Sequence, residues 1–260
     1  MTVNWAEVQK TLLPIKDYED CCRRLSASLA YPFVTHLYNL TMPALSDYTQ
    51  KLLGGDTRHR YTEYLSKLTV TLSQLPDTGV EHVLGLMERI DTREKLESFV
   101  EQSGMHALDI VRLLWYLVYM FIPAEKYLSG LVRDDPDDTN TIHALATLGV
   151  RTNLQLLQLG LTPAMRHTLA DQSGLPVELI LQLVNRADFS RLPWASKATV
   201  SNIIGAGYGS LAQLANADPD KLYADFFTYG KSIGKNLKLG NEIENSYRIA
   251  RIIPRLVEEE

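Results

Sequence analysis

Cations, amides and one exposed-type aromatic gather in the last third of the chain, and their chemistry is that of recognition rather than of bond breaking. Lys197, Lys231, Lys235 and Lys238, with Arg248, Arg251 and Arg255, are residue types that neutralise phosphates or carboxylates. Arg186 stands in the word Asn185-Arg186-Ala187-Asp188, and Trp194, Ser196 and Lys197 in Pro193-Trp194-Ala195-Ser196-Lys197. The guanidinium of Arg186 suits a partner carboxylate or phosphate. The reading adopted is structural, with Arg186 and Asp188 tying two helices together. Trp194, beside a proline in a turn, either anchors a partner pocket or packs inward on its own helices.

A reaction centre is not expected. The histidines His36, His59, His82, His106, His143 and His167 are scattered, with no His-x-x-x-His or Cys-x-x-Cys zinc spacing, no phosphate-binding Gly-x-x-x-x-Gly-Lys-Ser/Thr loop and no Gly-x-Ser-x-Gly turn. Gly205-x-Gly207-x-Gly209 has neither the spacing nor the preceding strand of a dinucleotide loop. Asp134, Asp135, Asp137 and Asp138 lack the glycine and glutamate that a calcium loop requires. The expectation is a protein that is not an enzyme, without cofactor or metal.

The elements that hold these residues are helical, and one small helical unit is written twice. Leu145 to Leu157 reads LATLGVRTNLQLL and Ile203 to Ala215 reads IIGAGYGSLAQLA. At one constant offset Leu145 matches Ile203, Gly149 matches Gly207, Thr152 matches Ser210, Gln155 matches Gln213 and Leu156 matches Leu214. Each copy sets a glycine where one helix must stop, then a hydroxyl residue with glutamine three positions on. That is a helix stop joined to a capping box. Such a duplicated unit builds a gripping surface.

Upstream, apolar residues recur at helical spacing, as in Tyr61, Tyr64, Leu65, Leu68, Leu72 and Leu75, with breaks at Gly54-Gly55, Pro76-Gly79 and Ser103-Gly104. Helix starts are expected at Asp91-Thr92 and at Asp77 to Glu81. Met105 to Phe121 is expected as the central helix of an all-α bundle. Its apolar window, Ile110 to Ile122, is short of the roughly 20 residues that span a bilayer, so it reads as core and no transmembrane segment is expected. Exposed, the stretch from Trp115 to Phe121 would instead mark a subunit of a larger assembly. The acidic, proline-bearing stretch after Arg133 is expected to divide the chain into 1–133, a linker 134–140 and 141–260.

Composition agrees with a folded chain: 260 residues, 45 % hydrophobic and 22 % charged, with a net charge of −5. The acidic balance opposes whole-molecule attraction to nucleic acid while leaving local basic patches open. Adjacent Cys21 and Cys22 suit helix residues in a reducing compartment, and the N-terminal residues show no export signal, so a cytoplasmic location is expected. Beyond Asn241 a helix is expected in which Ile243, Tyr247, Ala250 and Ile253 form the buried stripe. Arg248, Arg251 and Arg255, at spacings of three and four, then share a face. Glu244 pairs with that face, and Glu258 to Glu260 offset it.

From Gly149 to Leu222 the chain carries the words Gly149-Val150-x-Thr152, Thr162-Pro163-x-x-Arg166-x-x-Leu169-Ala170, Gly174-Leu175-Pro176, Val184-Asn185-Arg186-Ala187-Asp188, Ala206-Gly207-Tyr208, Leu211-x-x-Leu214-Ala215 and Asp218-Pro219-x-x-Leu222. On these it is similar to the helix-hairpin-helix-like family catalogued as domain of unknown function 4332. The resemblance implies tandem helix-hairpin-helix units, a fold used elsewhere to hold DNA backbones and also proteins. Where that family commonly has a glycine-rich turn, this chain has Pro193 to Lys197, which removes an N–H and adds bulk where phosphate would approach. The expected function is therefore a macromolecular interaction or adaptor protein with a protein partner. The alternative is a nucleic-acid-binding accessory protein using the hairpins and the C-terminal basic patch.

Overall fold

The computed structural model describes residues 3–55, 59–132, 136–193, 195–237 and 241–259. Sixteen α-helices and no β-strand occur among the described residues, so the chain is all-α. It divides into two compact units, Met1–Ala124 and Glu125–Glu260.

The first unit contains α1 (Trp5–Leu12), α2 (Tyr18–Leu29), α3 (Pro32–Tyr38), α4 (Met42–Leu53), α5 (His59–Gln74), α6 (Val83–Ile90), α7 (Arg93–Ser103) and α8 (Ala107–Tyr116). The expected central helix is present as α8, continued by a π-helical turn over Leu117–Phe121. Ile110, Leu113, Leu114, Tyr116 and Leu117 are fully buried, and Val118, Met120 and Phe121 nearly so. Trp115 and Tyr119 of the same stretch are half-buried. No helix among the described residues is long and apolar enough to cross a membrane.

Local signals explain most helix ends. Thr92 caps α7 by accepting from Lys95 N at 3.3 Å, as expected. The start expected at Asp77 to Glu81 falls instead at His82, whose Nδ1 accepts from Gly85 N at 3.0 Å. The physical reason is local: Pro76–Thr78 forms a single 3-10 turn closed by left-handed Gly79, after which an extended pairing, Met42 N to Glu81 O at 2.9 Å and Val83 N to Leu40 O at 3.2 Å, delays the α-helix to residue 83. Cys21 and Cys22 are buried residues of α2 with free thiols, in line with their reading.

The second unit contains α9 (Pro136–Thr147), α10 (Asn153–Gly160), α11 (Pro163–Ser173), α12 (Val177–Phe189), α13 (Lys197–Gly205), α14 (Leu211–Ala215), α15 (Pro219–Ser232) and α16 (Asn241–Ala250). α12 packs on both α10 and α11, α13 on α15, and α14 on α16.

The division at 134–140 is corrected in two respects. Pro136 opens α9 instead of breaking a linker, because the first helical position needs no intrahelical N–H. Arg133, Asp134 and Asp135 lie outside the described residues. The boundary itself falls earlier because Glu125 to Leu128 is bound into the second unit. Leu128 N donates to Arg151 O at 3.0 Å, Asn153 N to Lys126 O at 2.9 Å, and Lys126 N to Asn153 Oδ1 at 2.7 Å.

Candidate docking site of the second unit

The two written copies fold alike at the glycine turn and the cap, although only in the first does the cap residue's own N–H, that of Thr152, also donate to the glutamine, Gln155, at 3.1 Å. In the first, Gly149 is left-handed at φ 83°, its N–H donates to Ala146 O at 3.1 Å, and Val150 N donates to Leu145 O at 3.0 Å. In the second, Gly207 is left-handed at φ 102°, its N–H donates to Ile204 O at 3.0 Å, and Tyr208 N donates to Ile203 O at 3.2 Å. Only glycine takes this backbone cheaply. Gln155 Oε1 then accepts from Arg151 N at 2.8 Å, and Gln213 Oε1 from Gly209 N at 2.8 Å. Thr152 and Ser210 cap α10 and α14 by accepting from the same glutamines' N–H groups, at 3.4 and 3.1 Å. The N–H groups of residues 149–151 and 207–209 thus all find acceptors inside their own turns.

The polar word at 185–188 serves the fold. Asp188 is buried and receives Arg191 Nε at 2.7 Å and Nη2 at 2.6 Å. Burial pushes the Asp188 carboxyl up from the usual range, against the pull of Arg191. Half-buried Arg186 donates to Leu131 O at 3.5 Å and Ser201 Oγ at 3.4 Å, so it links α12 to α13 and to the segment before α9. Arg186 ties elements together, whereas Asp188 pairs with Arg191 at the end of its own helix, so the expectation that both link two helices holds for Arg186 alone.

The remaining expected site residues do not form one cluster of cations on a helix. Ser196 is the N-cap of α13, accepting from Thr199 N at 3.0 Å, and Lys197 follows it as the first helical residue. Trp194 and Lys238 lie outside the described residues. Lys235 is exposed beyond α15, and exposed Lys231, in the last turn of α15, sits 4.3 Å from the centre of the Phe227 ring. Arg248 is half-buried on α16. The expectation that Arg248, Arg251 and Arg255 share a helical face is corrected, since α16 ends at Ala250. Pro254 cannot donate to a helix and disfavours helical backbone at the residue before it. Exposed Arg251 lies 5.6 Å from the Tyr247 ring centre, and exposed Arg255 donates to Asn216 Oδ1 at 3.0 Å. The expected stripe holds in outline, with Ile243, Ala250 and Ile253 buried and Tyr247 half-buried, its hydroxyl donating to Ala217 O at 3.2 Å.

Two arginines that sequence reasoning did not single out as site residues dominate the interior. Arg166 is fully buried and donates to Gly160 O at 3.2 Å, Leu161 O at 3.3 Å and Glu258 O at 3.1 Å. Arg191 donates to Pro254 O at 3.0 Å as well as to Asp188. Glu258 N donates to Leu161 O at 2.9 Å. The segment 254–259 is thus laid along the unit by its main chain. Beside it opens a cleft of about 330 Å³, lined by Leu181, Asn185 and Asp188 of α12, Leu211 and Gln213 of α14, and Leu256 and Val257 of the segment. The one available signal was Arg166 within the Thr162-Pro163 word, four positions after an N-cap and on the face of buried Leu169 and Ala170.

No curated protein and no solved structure matches the chain. Over residues 139–238, from within α9 to just beyond α15 and including both copies of the glycine turn, the chain matches the family model described as a domain of unknown function (DUF4332).

Proposed function

We propose that the chain is a non-enzymatic interaction protein whose second unit docks a protein partner, acting in the cytoplasm. The observation that carries this reading is the internal use of the turn amides. A phosphate held at a hairpin needs N–H groups that point outward and are free to donate. In both copies the glycine turn spends them on its own helix carbonyls and on the capping glutamine. Pro193 adds a position with no N–H to the turn before α13. What the unit does hold is a stretch of polypeptide, the segment 254–259, through buried side-chain donors.

The test pairs fluorescence anisotropy on short duplex and single-stranded DNA, at low and near-physiological salt, with affinity capture on the purified chain. The expected result is no DNA binding even at low salt and a captured protein partner. Salt-sensitive DNA binding with no captured protein overturns the reading.

A second reading has one specific observation in its favour. Phe227 is 47 % exposed with the Lys231 ammonium against its ring, and Lys235 is exposed nearby in sequence. An aromatic platform flanked by cations suits stacking on single-stranded nucleic acid. Under this reading, replacing Phe227, Lys235, Arg248 and Arg251 with Ala abolishes binding that weakens steeply with salt.

A further inference from the structure

Two polar groups of the word Asn185-Arg186-Ala187-Asp188 are left over by the fold. Asn185 and Asp188, three apart on α12, share a face, and both line the cleft of about 330 Å³. The Asp188 side chain is only 6 % exposed, and Arg191 Nε and Nη2 both reach its Oδ1. Oδ2 has no hydrogen-bond partner among the described residues, and neither has the carboxamide of half-buried Asn185. The last turn of a helix presents free carbonyls and no free N–H, so the end of α12 has no backbone donor to give Oδ2. An entering donor would satisfy a buried acceptor that the chain itself leaves unpaired.

The rest of the lining decides what carries that donor. Leu181, Leu211, Leu256 and Val257 give the cleft apolar walls, which suit an apolar body. A cation is disfavoured, because Arg191 already balances Asp188 and an ammonium would be desolvated with no buried anion left to meet it. The other charged groups of the lining, Arg255, Glu258 and Glu259, are exposed and of mixed sign. An anion would meet Oδ2 itself. A neutral N–H or O–H on an aromatic ring fits both the free acceptor and the walls.

We propose that this cleft receives a tryptophan or tyrosine side chain of the protein partner, its N–H or O–H donated to Asp188 Oδ2 beside the Asn185 carboxamide. The segment 254–259 stays in place as one wall. This rests on the protein-interaction reading and deepens it by naming what the partner inserts.

The probe is indole, titrated by NMR against the full chain at neutral pH, beside 1-methylindole, which keeps the ring and lacks the donor, and benzylammonium, which carries a cation. The expected result is that indole binds and shifts the methyl resonances of Leu211 and Val257, while the other two bind at least tenfold more weakly. No binding of indole, unmoved methyl resonances, or equal or tighter binding of either control overturns the proposal. Ala212→Leu, at a half-buried position of the cleft wall, should weaken both indole and the captured partner at least tenfold, and unchanged binding of either overturns it. If that variant loses its helical circular dichroism, competition on the unaltered chain decides. Saturating indole should release the captured partner, and a partner that stays bound, or indole binding with no captured protein, overturns the partner as the source of the ring. A failed indole titration alongside a captured protein removes the cleft alone; failure of both removes the protein-interaction reading as well.

Discussion

Gly160 sits so close to Val184 that a Cβ at position 160 would lie 2.5 Å from Cγ2 of Val184. This is the contact on which α10 and α12 close. A valine in a helix has one strongly preferred rotamer and cannot swing aside. Gly160→Ala should therefore destabilise the second unit by about 1–3 kcal/mol, despite alanine's better helix propensity. Val184→Ala in the same chain makes room, so the double variant should be more stable than the sum of the single losses implies. Urea denaturation of the four chains measures this coupling. Strictly additive losses would show that the helices do not meet at this pair.

The two glycine turns make a matched prediction. Gly149→Ala and Gly207→Ala each force a side chain into left-handed backbone, with no neighbouring atom within 4 Å of the added Cβ to complicate the result. Each should cost about 1–2 kcal/mol by denaturation, and the two costs should agree. Clearly unequal losses would mean that the copies are alike in sequence without being alike in mechanical role.

These turns were also the part of the fold most readable from sequence. A helix stop and a capping box are local devices, set by a glycine, a hydroxyl and a glutamine a few residues apart, and Gly149, Thr152 and Gln155 could be placed without knowing what surrounds them. The burial of Ile110 to Leu117 was readable for a similar reason, since a dense apolar run short of a bilayer has little choice but the core. The end of α16 does not follow from the spacing of Arg248, Arg251 and Arg255, because the helix stops at Ala250, short of Pro254. The segment 254–259 was not readable at all. Its seat is made by Arg166 and Arg191, far away in the chain, and buried cations that serve carbonyl groups look in sequence like ordinary surface arginines.

Cys21 and Cys22 should be chemically silent in the folded protein. They are 0 % and 2 % exposed. Burial pushes the Cys22 thiol up to about 12, and raises Cys21 further. It is the thiolate that attacks a disulfide reagent, and it is scarce here at neutral pH. Both thiols should react with an aromatic disulfide reagent only after denaturant is added. Prompt reaction of either in buffer at pH 8 would contradict the packing of α2.

Arg191 should prove more important to stability than any exposed arginine. Replacing it with Met leaves Asp188 buried without the guanidinium whose Nε and Nη2 both reach its Oδ1, and also removes the contact to Pro254 O. The expected cost at pH 7 is about 3–5 kcal/mol. The sign of its pH dependence follows from Asp188. Burial holds that carboxyl above its unfolded value even beside Arg191, and without the cation it rises further. The folded variant then keeps a proton that the unfolded chain has released. Its stability is greatest below the unfolded carboxylate value and falls as pH rises through the raised folded one. The gap between Arg191→Met and the parent chain should therefore narrow from pH 7 to pH 5. Adding Asp188→Asn should remove most of that narrowing, because no carboxyl is left to titrate. A gap that stays constant between the two pH values would show that Arg191 acts through its carbonyl contact, with the ion pair contributing little.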